Sequence, residues 1–391
     1  MDFRALALLI LGHLVTDTTQ GGLPILLPML QENLGLTYAA SGAIMMTMQL
    51  TSSVIQPLFG FLTDRYSLRW LLPAGVAISG LGFACLGLAH TYGLVLVLVV
   101  VTGLGVASFH PEAFKAVLGS AGDRKVVAVS WFMVGGNAGM GLGPLLLGMY
   151  LALWGPKGTL AYAVPGLIVA GLFMATWSRL HPTPLKETAK PAVKPAAPLS
   201  ARAYALTMLI LAVILRAWVH SGVITFVPFW YIHVRGGSPA EVAPLVTTFL
   251  VAGVVGTVAG GHLAERVGTR RFFVVSVALV TPALFWLLHS QGWWLYGAMA
   301  VSGCLLISTW STIMVMAQQI LPDRAGMASG LMVGLAMGTG GVGATVLGGV
   351  ADNWGVEASL LVVSVMPVLS AVVAMFIPLD QVEPARAPAR A

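Results

Sequence analysis

The sequence predicts an all-α membrane protein with twelve transmembrane helices in two pseudo-symmetric six-helix bundles. Three observations predict it. Of 391 residues, 58% are apolar and only 9% charged, whereas soluble domains carry about 25% charged residues. So few charges cannot cover a water-facing surface. The apolar residues also arrive in blocks near the ~20 residues that cross a hydrocarbon core of about 30 Å. Finally, the second half of the chain repeats the first at an offset of 200 residues.

The apolar segments run over 4–30, 38–62, 68–89, 92–115, 125–153 and 158–179, then 203–230, 240–263, 271–290, 293–319, 325–350 and 354–377. The first is too long for a signal-peptide core and lacks an obvious cleavage site, so it is read as a retained helix. Cys85 and Cys304 fall inside apolar segments and read as small buried hydrophobes, with no disulfide framework. The expected domains are a first bundle over 1–180, a linker over 181–202, a second bundle over 203–378 and a disordered tail over 379–391. The linker contains "HPTPLKETAKPAVKPAAPLSAR", rich in Pro, Ala and Lys and without apolar period. With the N-terminus placed in the cytoplasm, seventeen of the 20 Lys and Arg fall on the cytoplasmic side. Lys157 and Arg235 fall outside, and Arg216 lies mid-membrane. That asymmetry predicts cytoplasmic termini. It also explains the net charge of +6 without nucleic acid, because the basic residues are scattered over separate loops.

The repeat is carried by polar and turn residues. Gly22 meets Gly222, Pro28 meets Pro228, Asp123-Arg124 meets Asp323-Arg324, and Trp154-Gly155 meets Trp354-Gly355. Chance matches among apolar residues are cheap, but paired Asp-Arg and Trp-Gly matches at one offset are not. Two parallel six-helix repeats are the pattern of transporters that rock one half against the other around a midplane site.

One loop repeats most clearly. "GFLTDRYSLRW" follows the second segment and "GHLAERVGTRR" follows the eighth. This loop resembles the cytoplasmic G-x-L-x-D-R-x-G-x-R motif of the major facilitator superfamily. It places Gly60, Asp64, Arg65 and Arg69 in the first copy, and Gly261, Glu265, Arg266 and Arg270 in the second; Ser67 departs from the usual glycine. The resemblance implies a conformational latch, in which the glycine lets helix ends approach and the acid and arginines bond across the cytoplasmic face. Topology-setting charge alone is the plainer alternative. "FHPEA" in the fourth segment and "VGGNAGMGLGPLLLG" in the fifth resemble the fosmidomycin-resistance group of that superfamily. That resemblance implies proton-coupled drug export from the bacterial inner membrane, hence antibiotic resistance, with a small molecule and protons as partners.

Ionisable residues inside membrane helices are costly and so are functional candidates. His13 and Asp17 lie four apart on one helical face. His110 and Glu112 flank Pro111, which predicts a kink. Arg216 and His220 lie four apart in the seventh segment, and the tenth carries Thr309 and Trp310 among other polar residues. In the superfamily these segments line the central cavity, and all four clusters were located by polarity alone. Glu112, Asp17, His110 and His13 are therefore candidates for proton coupling. Arg216, His220, Asn137, Trp131, Trp310 and Thr309 are candidates for substrate binding. Alternatives stay open: an Asp17–Arg216 ion pair between the halves, a Glu112–Lys115 salt bridge with Lys115 reaching the surface, or polar residues that only join helices. Gly135, Gly139 and Gly143, followed by Pro144, place small residues on one helix face, which predicts close packing.

No metal site, cofactor or nucleotide site is expected: His110 and Glu112 are spaced two apart, and no G-x-x-x-x-G-K-[ST] occurs. Nor is there a nucleophile–base–orienter set, which argues against an enzyme. The reading is a monomeric secondary transporter, a proton-coupled exporter of a small organic molecule. An importer or lipid-like-substrate carrier of the same fold is the alternative.

Overall fold

The computed structural model describes residues 1–66, 68–177, 198–322 and 325–379, and its regular elements are all helical, with no strand among the described residues. In chain order these are α1 (Phe3–Leu34), α2 (Tyr38–Gln49), α3 (Gln56–Arg65), α4 (Leu71–Ala84), α5 (Tyr92–Ser120), α6 (Lys125–Trp154) and α7 (Ala163–Ala175). Then come α8 (Leu199–Phe229), α9 (Pro239–Val267), α10 (Thr269–His289), α11 (Trp293–Ile320), α12 (Ala325–Trp354) and α13 (Val356–Met375). Most of the predicted linker and nearly all of the predicted tail lie outside the described residues.

Local chemistry sets the helix ends. The Asp2 carboxylate accepts from the amides of Arg4 and Ala5 at the start of α1, and α1 stops at Gly35, whose φ of +62° suits glycine. The predicted second segment is broken. A π turn over Leu50–Val54 separates α2 from α3. There the Thr51 hydroxyl and the Gln56 amide donate to the carbonyls of Thr47 and Ser52, competing with the regular ladder.

Nine stretches among the described residues are long and apolar enough to cross a membrane. Physical reasons separate nine from the twelve segments read in the sequence. The polar run His13–Gln20 lowers the hydropathy of α1. The second segment is interrupted. A short 3-10 link joins α6 and α7 into one stretch, Val127–Ala175. Large apolar side chains are widely exposed, Val255 and Val258 at 64% and Phe376 at 60% among them, a surface suited to lipid and not to water.

The described chain groups into two compact units. Unit 1 takes α1–α7 together with Ile224–Thr247 and Ala344–Glu357, and unit 2 takes α8 as far as Val223, Thr248–Gly343 and the chain from Ala358. The far ends of α8 and α12 therefore belong with α1–α7. Within unit 1, α1 lies along α6, and α4 packs on α5 and α7; within unit 2, α10 packs on α11. The α1–α6 contact is as close as backbones allow. A Cβ placed on Gly135, Gly139 or Gly143 would collide with the carbonyl oxygens of Ile10, Leu14 and Thr18 in turn. The glycine series thus fits the backbone of α1 turn by turn, the packing its spacing predicts.

Candidate functional site

That packing presents the polar face of α1 to α5. His13 and Asp17, one turn apart, are 3% and 7% exposed. His13 Nε2 lies 3.3 Å from Asp17 Oδ2, and His110 Nε2 of α5 lies 3.4 Å from Asp17 Oδ1. Each imidazole therefore faces its own carboxylate oxygen. The opposite nitrogens are tied to backbone carbonyls: His13 Nδ1 is 2.7 Å from Phe132 O and His110 Nδ1 is 2.8 Å from Val106 O. The two rings meet edge-on at 5.0 Å, and His13 stacks on the Phe132 ring at 4.0 Å. Gly136 leaves no room beside His13, since a Cβ there would overlap the imidazole. Gln20 donates to Asp17 Oδ1 at 3.3 Å.

The tautomers follow from these partners. A carbonyl oxygen only accepts, so each Nδ1 carries a hydrogen. A neutral imidazole would then turn a bare Nε2 lone pair toward an oxygen of the buried carboxylate, two acceptors in contact. Each contact therefore requires a proton between nitrogen and oxygen. The three donor atoms also lie within 4.8 Å of one another, a grouping able to hold a metal ion. The grouping joins His110 to His13 and Asp17, not to Glu112, the neighbour whose spacing argues against a metal.

Glu112, 2% exposed, lies two residues beyond His110 on α5 and is not among the three. Lys115 is 5% exposed and donates to the Thr63 hydroxyl at 2.7 Å, so it does not extend to the surface as anticipated. α5 runs as one helix through Pro111. Trp131, at 56%, and Asn137 are both exposed on α6 and are not gathered around Asp17.

Unit 2 holds a second buried polar site. Arg216 of α8 is 3% exposed. Its Nε donates to Thr309 Oγ1 at 2.7 Å, and its Nη2 to Leu306 O at 3.0 Å. The guanidinium carbon sits 5.5 Å from the Trp310 ring centroid. Thr309 can accept because its own hydrogen goes to Leu306 O. His220, one turn along α8, tilts against Phe249 at 5.8 Å. Among the described residues, Arg216 has no carboxylate within ion-pair distance. These partners of Asp17 and of Arg216 each lie within their own unit.

In the doubled loop, each copy touches its own repeat among the described residues. Gly60 and Gly261 have open space where a Cβ would project, so neither permits a close helix approach here. Arg65, Glu265 and Arg266 are exposed, and the Asp64 side chain lies outside the described residues. Arg69 lies 5.4 Å from the Trp177 ring, and Arg270 donates to Ile377 O at 2.7 Å. The last arginine of each copy therefore holds the end of the last helix of its own repeat. Gly268, at the motif position where the first copy has Ser67 in the sequence, has φ of +93°.

Sequence reasoning missed Gln20, Gly136 and the carbonyl of Phe132. Gln20 stands three residues after Asp17, a visible same-face spacing. Gly136 acts through its missing side chain and Phe132 through its ring and carbonyl, but neither residue type says which helix face meets His13.

The model of the Major Facilitator Superfamily matches residues 9–336 and 231–391. The fosmidomycin resistance protein of Escherichia coli (strain K12) is 33% identical over 380 residues, 96% of this chain and 93% of that protein. The uncharacterized MFS-type transporter YfnC of Bacillus subtilis (strain 168) is 33% identical over 382 residues, with the same coverage. Among solved structures, a bacterial homolog of the human lysosomal transporter Spinster, inward-facing and occupied, aligns with a TM-score of 0.83 at 15% identity over 98% of both chains. The nucleoside transporter NupG aligns at 0.78 and 13% identity, over 96% of this chain and 99% of its own. A multi-pass helical chain matched over its length by one family model and by relatives at a third identity is a member of the major facilitator superfamily of transporters.

Proposed function

We propose that this protein is a proton-coupled exporter of a small organic anion, working by alternating access as a monomer with twelve membrane crossings. The bundles are those read from the repeat, over 1–180 and 203–378, set in a bacterial inner membrane with both termini cytoplasmic. One observation carries the coupling: the His13–Asp17–His110 cluster, whose two contacts each need a proton. In the loaded form both Nε2 atoms carry protons toward one Asp17 carboxylate. Release of the protons leaves lone pairs opposed, so the cluster must open and the carboxylate must find water. Loading thus favours one conformation and release the other, which is what coupling requires.

The anion site is Arg216, with Thr309 and Leu306 O fixing the fork, Trp310 beneath it and His220 one turn away. A buried guanidinium held only by neutral acceptors gains most from an incoming carboxylate or phosphonate. Asn137 and Trp131, exposed on α6, are weaker candidates for substrate contact. Export, drug efflux and antibiotic resistance rest on the E. coli relative's name, so fosmidomycin is one probe in the test.

The test is uptake into inside-out vesicles, using a panel of phosphonates, organic acids and cationic drugs under an imposed proton gradient. Asp17→Asn should abolish gradient-driven accumulation and leave solute exchange running. Glu112→Gln in the same assay tells whether the neighbouring carboxyl shares the role. Full accumulation by Asp17→Asn would refute the assignment.

A further inference from the structure

Away from both buried sites, unit 1 carries a further set of contacts on the face toward which α1 runs. The first amides of α2 need acceptors, because a helix start leaves them without partners. Thr37 Oγ1 takes the Ala40 amide at 3.1 Å, an ordinary local cap. The next two are taken by a residue 314 positions away: Asp352 Oδ1 accepts from Tyr38 N at 2.7 Å, and Asp352 Oδ2 from Ala39 N at 3.0 Å. One carboxylate at the end of α12 therefore caps α2 with both oxygens, at the positive end of its dipole.

Three further contacts converge there. A Cβ on Gly42 would strike the Ala344 carbonyl, and one on Gly348 would strike the Tyr38 carbonyl, so the α2 and α12 backbones touch. Thr345 Oγ1 meets Met46 Sδ at 3.8 Å. The Tyr38 hydroxyl is 3.1 Å from His233 Nδ1, and His233 Nε2 is 3.1 Å from Glu32 Oε1. This chain ties the turn after α8 to the ends of α1 and α2. In each contact a residue of the first repeat meets one of the second.

We propose that Asp352, with the Glu32–His233–Tyr38 chain, clamps the two repeats together on this face and must release once per transport cycle. It rests on the alternating-access reading, since only relative motion of the repeats would ask α2 and α12 to part. Parting is a discrete event here. It frees two helix amides and one carboxylate together, and water must take over all of them.

Two measurements test the clamp, both in a C85S/C304S background. In M46C, a membrane-impermeant thiol reagent applied to that face should label slowly, and Asp352→Ala should speed labelling about fivefold to tenfold, the effect of losing a helix cap. Glu32→Gln should give a smaller rise. In M46C/T345C, oxidation should join α2 to α12 and stop transport of the panel anions, and reduction should restore it. Unchanged labelling in Asp352→Ala, or full transport by the cross-linked chain, would overturn the clamp. If Asp352→Ala opens this face while no panel compound moves in any variant, the clamp stands and the export reading falls.

Discussion

The two buried polar sites are built on opposite logic. In unit 1 a carboxylate is surrounded by groups that carry protons: two imidazoles and an amide. In unit 2 a guanidinium is surrounded by groups that cannot take its charge: a hydroxyl, a carbonyl and an indole face. Burying a charge is expensive unless it is paired. The first site places two imidazoles and an amide against its carboxylate. The second leaves its cation without an anionic partner among the described residues, so an arriving anion adds the missing half. On the proposed function, the first would be the proton site and the second the anion site of an exchanger.

Breaking the cation site should give the largest change. Arg216→Ala removes the only charge in that cluster and should raise the KM for a transported anion about tenfold to a hundredfold, as loss of hydrogen bonds to a charged group does. Arg216→Lys should recover little, because an ammonium cannot reproduce the fork to Thr309 and Leu306 O. Equal KM values in both variants and the parent would remove the anion assignment.

The proton site can be loosened without touching its chemistry. Gly139→Ala forces a methyl group against the Leu14 carbonyl, next to Asp17. Overpacking of this kind costs about 1–3 kcal/mol and should lower both thermal stability and gradient-driven uptake. Gly334→Ala on α12, where a Cβ meets nothing within 4 Å, is the control and should leave both unchanged. The smallest effects belong to the loop arginines. Arg270→Ala loses a bond to Ile377 O, and Arg69→Ala loses a contact with an indole. Each should cost about 1 kcal/mol of stability or less, read as a shift in melting temperature, with transport otherwise intact. Trapping of one conformation by either variant would instead support the latch reading.

The sequence made much of this legible, for identifiable reasons. His13 and Asp17 were readable as one site because a four-residue spacing on a helix fixes a shared face. His110 was readable as a candidate, but its joining Asp17 depends on how α5 sits beside α1, which no local pattern encodes. The glycine series was readable as packing, and its partner on α1 was not. The loop glycines have open space beside them, unreadable in the sequence for a related reason. Gly60 and Gly261 fit a motif, yet a motif does not say which neighbour is near. Asp352 passed unnoticed as one more exposed acid, because its role lies in amides more than three hundred residues away.

The central claim is that the loaded cluster holds two protons and gives them up in exchange for an anion. The most direct test counts protons moved per transported anion in proteoliposomes, by balancing the solute gradient against pH and voltage until net flux stops. The account predicts two protons per anion in the parent, and no coupled protons in Asp17→Asn. A balance point that ignores the proton gradient in the parent, or an Asp17→Asn variant with the parent's ratio, would contradict it.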